Sequence, residues 1–239
     1  MVTAPLIDAA VLNEFFEKAE MFLTPEYLER LSDDQEERCR RVAKEFPQWP
    51  ELWDWAPATR RLSLEDRKLW EPRLDPLVAH LKEADGPDVL QTFQSWGDIP
   101  KWLVDWATFW IHLANPKAVW WARWVYTPTT ETGALLLVLD NPAALKQDTL
   151  SLAYVRVSDA VQYLVALLES TRALERLSPV FRPMVTLAVV YSVYMFTMAS
   201  WKLSEEFTQV LPPFPVVVRT LLGVNRWGGS QIGPKSHSN

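Results

Sequence analysis

Glycine is scarce in this 239-residue sequence, at 7 residues against 18 prolines. So few glycines argue against a turn-rich sandwich or barrel, where many short strands need tight reversals. The shortage also removes the usual phosphate cradles. The sequence contains no G-x-x-x-x-G-K-[ST], no G-x-G-x-x-G and no G-x-S-x-G pattern. Cysteine is rarer still. Cys39 stands alone, which excludes an intramolecular disulfide and fits a reducing compartment. Residues 1–10 lack the basic segment that opens a secretory signal, so a cytoplasmic location is expected.

Histidine and positive charge are in short supply too. Only His80, His112 and His237 occur. No carboxylate stands at a helical metal-pair offset from His112, and Glu83 is the only one so placed near His80, with Asp75 five residues away. No metal and no cofactor is therefore expected. The formal net charge is -6, with the excess in the first 60 residues, where 13 acids face 7 bases. An acidic chain lacks the concentrated positive field that nucleic-acid binding needs. The bases Arg176, Arg182, Lys202, Arg219, Arg226 and Lys235 meet only Glu205 and Glu206 near the C-terminus, and are read as a solvated surface.

What is present is tryptophan, at 13 residues, and a dense series of helix starts. Asp8 caps a first predicted helix of about 15 residues, with Val11, Leu12, Phe15, Phe16, Ala19 and Phe22 on one face. Thr24-Pro25 opens a second, and the capping-box spacing of residues 32–35 opens a third, charged helix through Lys44. Residues 46–57 hold three prolines and three tryptophans and predict an ordered connector that docks by its rings. Helices follow over 63–70 and from Asp75-Pro76 to Asp85, where Gly86-Pro87 stops the chain.

Asp98 then caps a helix carrying Trp102, Trp106 and Trp110 at i, i+4 and i+8. Asn115-Pro116 starts another with Trp120, Trp121 and Trp124. The two predict an αα-hairpin with an aromatic core, or, on the sharper reading, six tryptophans presented as an interface. Residues 127–133 read as a loop and a boundary, and 134–139 as either a strand or a buried helical turn. Asn141-Pro142 gives one more start and a long helix covers 150–176. The proline-rich link 211–215 precedes a last short segment ending at Gly223. Three units result: an acidic helical unit over 1–45, a tryptophan-rich helical core over 46–224, and a flexible tail over 225–239.

Residues 184–201 carry no charge at all. Eighteen residues are short for a bilayer, which takes about 20. Tyr191 and Tyr194 lie mid-stretch instead of at the interfaces, and Thr186, Thr197 and Ser200 form a hydroxyl stripe. A buried central helix is expected in preference to a membrane span, with Tyr191, Tyr194 and Met198 largely buried. The fold class is all-α, a single multi-helix domain around this helix with a small acidic N-terminal lobe.

Few side chains point to a reaction. Cys39 is flanked by Arg38, Arg40 and Arg41, neighbours that favour a thiolate. Arg73 and His80 have an R-x6-H spacing that resembles the arginine–histidine pattern of HEPN-type helical ribonucleases. That resemblance implies both side chains on one helix face acting on a phosphodiester, with Pro76 interrupting the helix between them. The expected function is non-enzymatic: a helical protein working through protein–protein contacts and self-assembly, as a scaffold, accessory factor or shell or coat subunit. The alternatives are a helical enzyme with a dispersed site drawn from Arg73, His80, His112 and Cys39, or a membrane-associated protein anchored by 184–201.

Overall fold

Capping side chains and prolines set where the helices begin. In the computed structural model, which describes residues 5–169, 174–202 and 211–224, α1 spans Ala9–Ala19 and is capped by Asp8. Its Oδ1 accepts from the Ala10 and Val11 N–H groups at 2.9 and 3.0 Å. Thr24 caps α2, Pro25–Lys44, with Pro25 in the first turn. The expected third helix at 32–35 is corrected: α2 runs through it unbroken. No glycine or proline lies between 26 and 44 to stop the helix, and Ser32 is buried. Its hydroxyl accepts from the Ser178 N–H at 3.1 Å, so it serves a distant segment and not a new helix start.

The tryptophan-rich connector folds into the one-turn helix α3, Glu51–Asp54, and a 3-10 turn, Pro57–Thr59. Next comes α4, Leu64–Leu81, where two helices were expected. Both Pro72 and Pro76 lie inside it and are exposed. A proline removes one i to i-4 bond, and on the solvent face water replaces it, so the helix continues. Helix α5, Gly86–Ser95, begins at the Gly-Pro pair that was expected only to end one. Helix α6, Lys101–Ala114, starts after Pro100 with no side-chain cap, so Asp98 does not fill that role.

The αα-hairpin expected after Asn115 does not form. Residues 115–126 are irregular, because their backbone is claimed by other partners. The Trp121 N–H donates to Thr108 Oγ1 at 3.0 Å, and the Trp124 and Val125 carbonyls accept from Ala134 and Leu135. The apolar run at 134–139 resolves as a 3-10 turn, Leu135–Leu137, beside a single bridge between Leu139 and Ile7. Helices α7, Leu150–Glu169, α8, Arg182–Lys202, and α9, Phe214–Leu221, complete the chain. Among the described residues there are nine α-helices and no named strand, as the all-α expectation requires. The tail over 225–239 and the 170–173 part of the predicted long helix lie outside the described residues.

One apolar cluster joins the whole. It includes Leu12 and Leu31 of the acidic first helices, Trp106 of α6, Val157 of α7, Val189 of α8 and Val218 of α9. The N-terminal helices thus share the core instead of building a lobe of their own. Helix α8 is central in its first half, where Met184 to Val190 are all buried. Its second half turns outward. Tyr194 is 37% exposed and Tyr191 and Met198 are half-buried, which corrects the expectation that all three would be enclosed. By length and composition two helix segments, 150–168 and 182–199, are long and apolar enough to cross a membrane. The second is 61% buried within the protein and the first only 33%.

Candidate functional site

The tryptophans form a bonded network around α6. The Trp106 and Trp110 Nε1–H groups both donate to the Leu52 carbonyl, at 2.8 and 3.2 Å, which fastens the connector to α6. Trp53 donates to Glu71 at 2.8 Å and packs its ring against Trp49, Trp102 and Trp106. Trp121 donates to the Tyr126 carbonyl at 2.8 Å. Trp106, Trp110, Trp120 and Trp121 are at most 4% exposed, so these four cannot present an interface; their rings are the aromatic core. Trp102 and Trp124 are half-buried.

Within this network lies a carboxylate that the sequence reading passed over. Asp105 is buried, and its oxygens accept from Trp120 Nε1 at 2.8 Å and from the Arg123 N–H at 3.3 Å. The bonds hold the irregular 119–126 segment against α6 in place of the missing hairpin. Burial pushes the Asp105 carboxyl up to about 6, against the pull of those two donors and the Arg123 charge. The visible signal was an acid inside an otherwise apolar helix.

His112, two turns along α6, is also buried, and its Nδ1 lies 2.8 Å from the Ala118 carbonyl. A carbonyl only accepts, so Nδ1 carries the proton. Burial lowers the ring to about 4, with the Arg38 charge adding to the effect and the bond to Ala118 opposing it. The ring lines a cavity of about 430 Å³ between α6, α7 and α8, walled by Val119, Val161, Val165, Val180 and Met184.

Asp105 and His112 act oppositely on stability between pH 4 and pH 6. The Asp105 carboxyl is raised from an ordinary value of 3.8, so its contribution is complete below 3.8 and lost as pH rises through about 6. His112 is lowered from 6.5, so its contribution is complete above 6.5 and lost as pH falls through about 4. Each amounts to about 3 kcal/mol, and in the shared window they offset. Relative to the parent chain, Asp105→Asn is expected to gain stability as pH rises from 4 to 6 and His112→Gln to lose it. Denaturant unfolding across that range measures both, and parallel curves would refute the assignment.

The other candidates are placed apart. Arg73 and His80 share the continuous helix α4 and both are exposed. The Arg73 guanidinium is stacked between the Trp70 and Trp96 rings, 5.1 and 4.5 Å from their centroids. Cys39 is half-buried, and burial pushes its thiol up to about 11, outweighing Arg38. The flanking arginines therefore do not make it a thiolate. Of the basic residues near the C-terminus, the described side chains make separate contacts: Arg176 with Glu29 at 3.3 Å, Arg182 with the Leu177 carbonyl, and Arg219 with Asp34 at 2.6 Å. Among the described residues no group of three His, Cys, Asp or Glu could hold a metal ion.

The surface that sequence reasoning missed is the outer face of α7. Leu152, Val155, Arg156, Asp159, Tyr163 and Ala166 fall within about 100° of helical arc, opposite the buried Ala153, Val157, Ala160, Leu164 and Leu168. Leu152, Val155 and Tyr163 are 52%, 36% and 38% exposed. The only charges on this stripe, Arg156 and Asp159, pair with each other at 3.3 Å. The chain matches no protein-family model, no curated protein and no solved structure.

Proposed function

We propose that this protein works by protein–protein contact, and that the first contact is with a second copy of itself through α7. The observation that carries the reading is that the α7 stripe is complementary to its own reverse. A two-fold axis between Val157 and Ser158 that sets two α7 helices antiparallel brings Leu152 of one copy to Tyr163 of the other. The same axis brings Arg156 to Asp159. Leu152 and Tyr163 thus meet apolar partners at the two ends of the contact, and each charge at its centre meets its opposite. A lipid surface fits the stripe less well, since the Arg156–Asp159 pair sits at its centre and would be drawn into hydrocarbon. Trp106, Trp110, Trp120 and Trp121 take no part in this contact, since they are buried in holding α6 to its surroundings.

One helix pair buries an area at the low end of specific interfaces, so a dimer with micromolar dissociation is expected. Light scattering coupled to size exclusion, over roughly a hundredfold range of concentration, is the test. The parent chain should pass from monomer to dimer, and Leu152→Glu with Tyr163→Glu should stay monomeric. Arg156→Asp alone should weaken the dimer, and adding Asp159→Arg should restore it. A parent chain that remains monomeric throughout, or a charge exchange that fails to restore a dimer lost by the single change, sinks the reading.

A further inference from the structure

We infer that the cavity between α6, α7 and α8 is a binding site for a small apolar molecule bearing one hydrogen-bond donor, such as a phenol or an alcohol. At about 430 Å³ the cavity has the size of a ligand site, for which roughly 300–1,000 Å³ is usual. Its wall is mostly apolar, supplied by Val119, Val161, Val165, Val180 and Met184, with the exposed Gln162 at its rim. One polar side chain buried in the fold belongs to that wall: His112, 4% exposed.

The chemistry of that ring selects the ligand. The turn after α6 uses one of its two nitrogens, because Nδ1–H is given to the Ala118 carbonyl at 2.8 Å. In the neutral imidazole the other nitrogen, Nε2, is then an acceptor with a free lone pair. Burial keeps the ring neutral at pH 7 and so preserves that acceptor. A hydrocarbon that fills the cavity strips water from Nε2 and returns no hydrogen bond. A molecule with an O–H or N–H replaces that water. A carboxylate, which only accepts, meets a lone pair with a lone pair. Lys117 at the rim is exposed, and its ammonium stays in water, so it makes no demand on a neutral ligand.

Pro116, Pro179 and Pro183 border the same cavity. They restrict the backbone on either side of its mouth, so the cavity is preformed and little order is added on binding. The enclosed part of the site lies on the α7 face that carries Val161 and Val165, turned away from Leu152 and Tyr163, while Gln162 at its rim adjoins the stripe. Ligand binding and self-association are therefore separable, and neither rests on the other.

Titration of the intact chain with 4-propylphenol, propylbenzene and 4-propylbenzoate, followed by NMR of the His112 ring and of the Val161 and Val165 methyls, tests the inference. The phenol should saturate those signals and bind roughly five- to a hundredfold more tightly than propylbenzene, the range set by leaving a buried acceptor unpaired. The benzoate should bind more weakly than the phenol. In His112→Phe the phenol should lose its advantage over propylbenzene. Because that change also removes the bond to Ala118, Val165→Phe provides a second arm: it fills the cavity from the half-buried α7 side and should abolish binding of the phenol while circular dichroism stays unchanged. Equal affinity for phenol and propylbenzene, tighter binding of the benzoate, or saturation that leaves the His112 and Val161 signals unmoved would each overturn it.

Discussion

Gly133→Ala is expected to destabilise the fold by about 4 kcal/mol, a large part of what a domain of this size has to lose. Gly133 has φ +132°, a backbone conformation that side-chain-bearing residues rarely adopt. A methyl group there would stand 2.5 Å from the Val125 carbonyl oxygen and 2.7 Å from its carbon. Those atoms are backbone, and they are fixed, since the Val125 carbonyl accepts from Leu135 and the Trp124 carbonyl from Ala134. Nothing nearby can swing aside. Gly97→Ala is the control, because Gly97 also has a positive φ, +82°, but no atom within 4 Å of its would-be methyl. Only the dihedral penalty applies there, about 1 kcal/mol. Chemical denaturation of the two variants separates the terms, and equal losses would show that the close approach at 133 is not what matters.

Trp106→Ala is expected to cost about 4 kcal/mol as well, for a different reason. Its ring is wholly buried, packs beside Trp49 and Trp53, and its Nε1–H joins that of Trp110 on the Leu52 carbonyl. Truncation leaves a large cavity and removes one of the two bonds that fasten the connector to α6. Trp106→Phe keeps a ring and should recover more than half of the loss. Trp102→Ala, half-buried on the same helix, should cost about 2 kcal/mol. A thermal or denaturant ranking in which Trp102 outweighs Trp106 would contradict the burial that distinguishes them.

Local signals carried the sequence reading as far as they were truly local. Asp8, Thr24 and Ser63 cap helices because a cap needs only its own next three residues. Ser32 has the same signature, yet its hydroxyl is claimed by Ser178, 146 residues away, and no window of sequence shows that. Pro76 looked like a break because its cost was counted without knowing that it faces water. The second tryptophan helix failed for a related reason. The Asn115-Pro116 start is sound in isolation, but Thr108 and Asp105 draw the following backbone into an irregular path.

The candidate sites follow the same division. Composition singled out the tryptophans, but only the fold shows that four of the six are enclosed. His112 was noted as a residue within an aromatic helix; the cavity it lines is made by residues from 116 to 184 and has no sequence signature. The periodicity of α7 marks a helix, but Val155 and Tyr163 are as apolar as the residues that pack, and only the fold shows them exposed. What its opposite face does was hidden, because exposure is set by the absence of a covering helix.

Three contacts join α9 to α2: Arg219 with Asp34, the Arg38 guanidinium with the Leu222 carbonyl at 2.9 Å, and the Tyr27 hydroxyl with the Pro215 carbonyl at 3.1 Å. Each spans more than 180 positions of chain. During synthesis α2 therefore emerges long before the residues that enclose Arg38 exist. Helix α6 is made early enough to cover part of the apolar face of α2, but the polar groups Tyr27, Asp34 and Arg38 wait for α9. For a chain built mostly of short-range helical contacts, the slowest event should be this closure of its two ends upon each other.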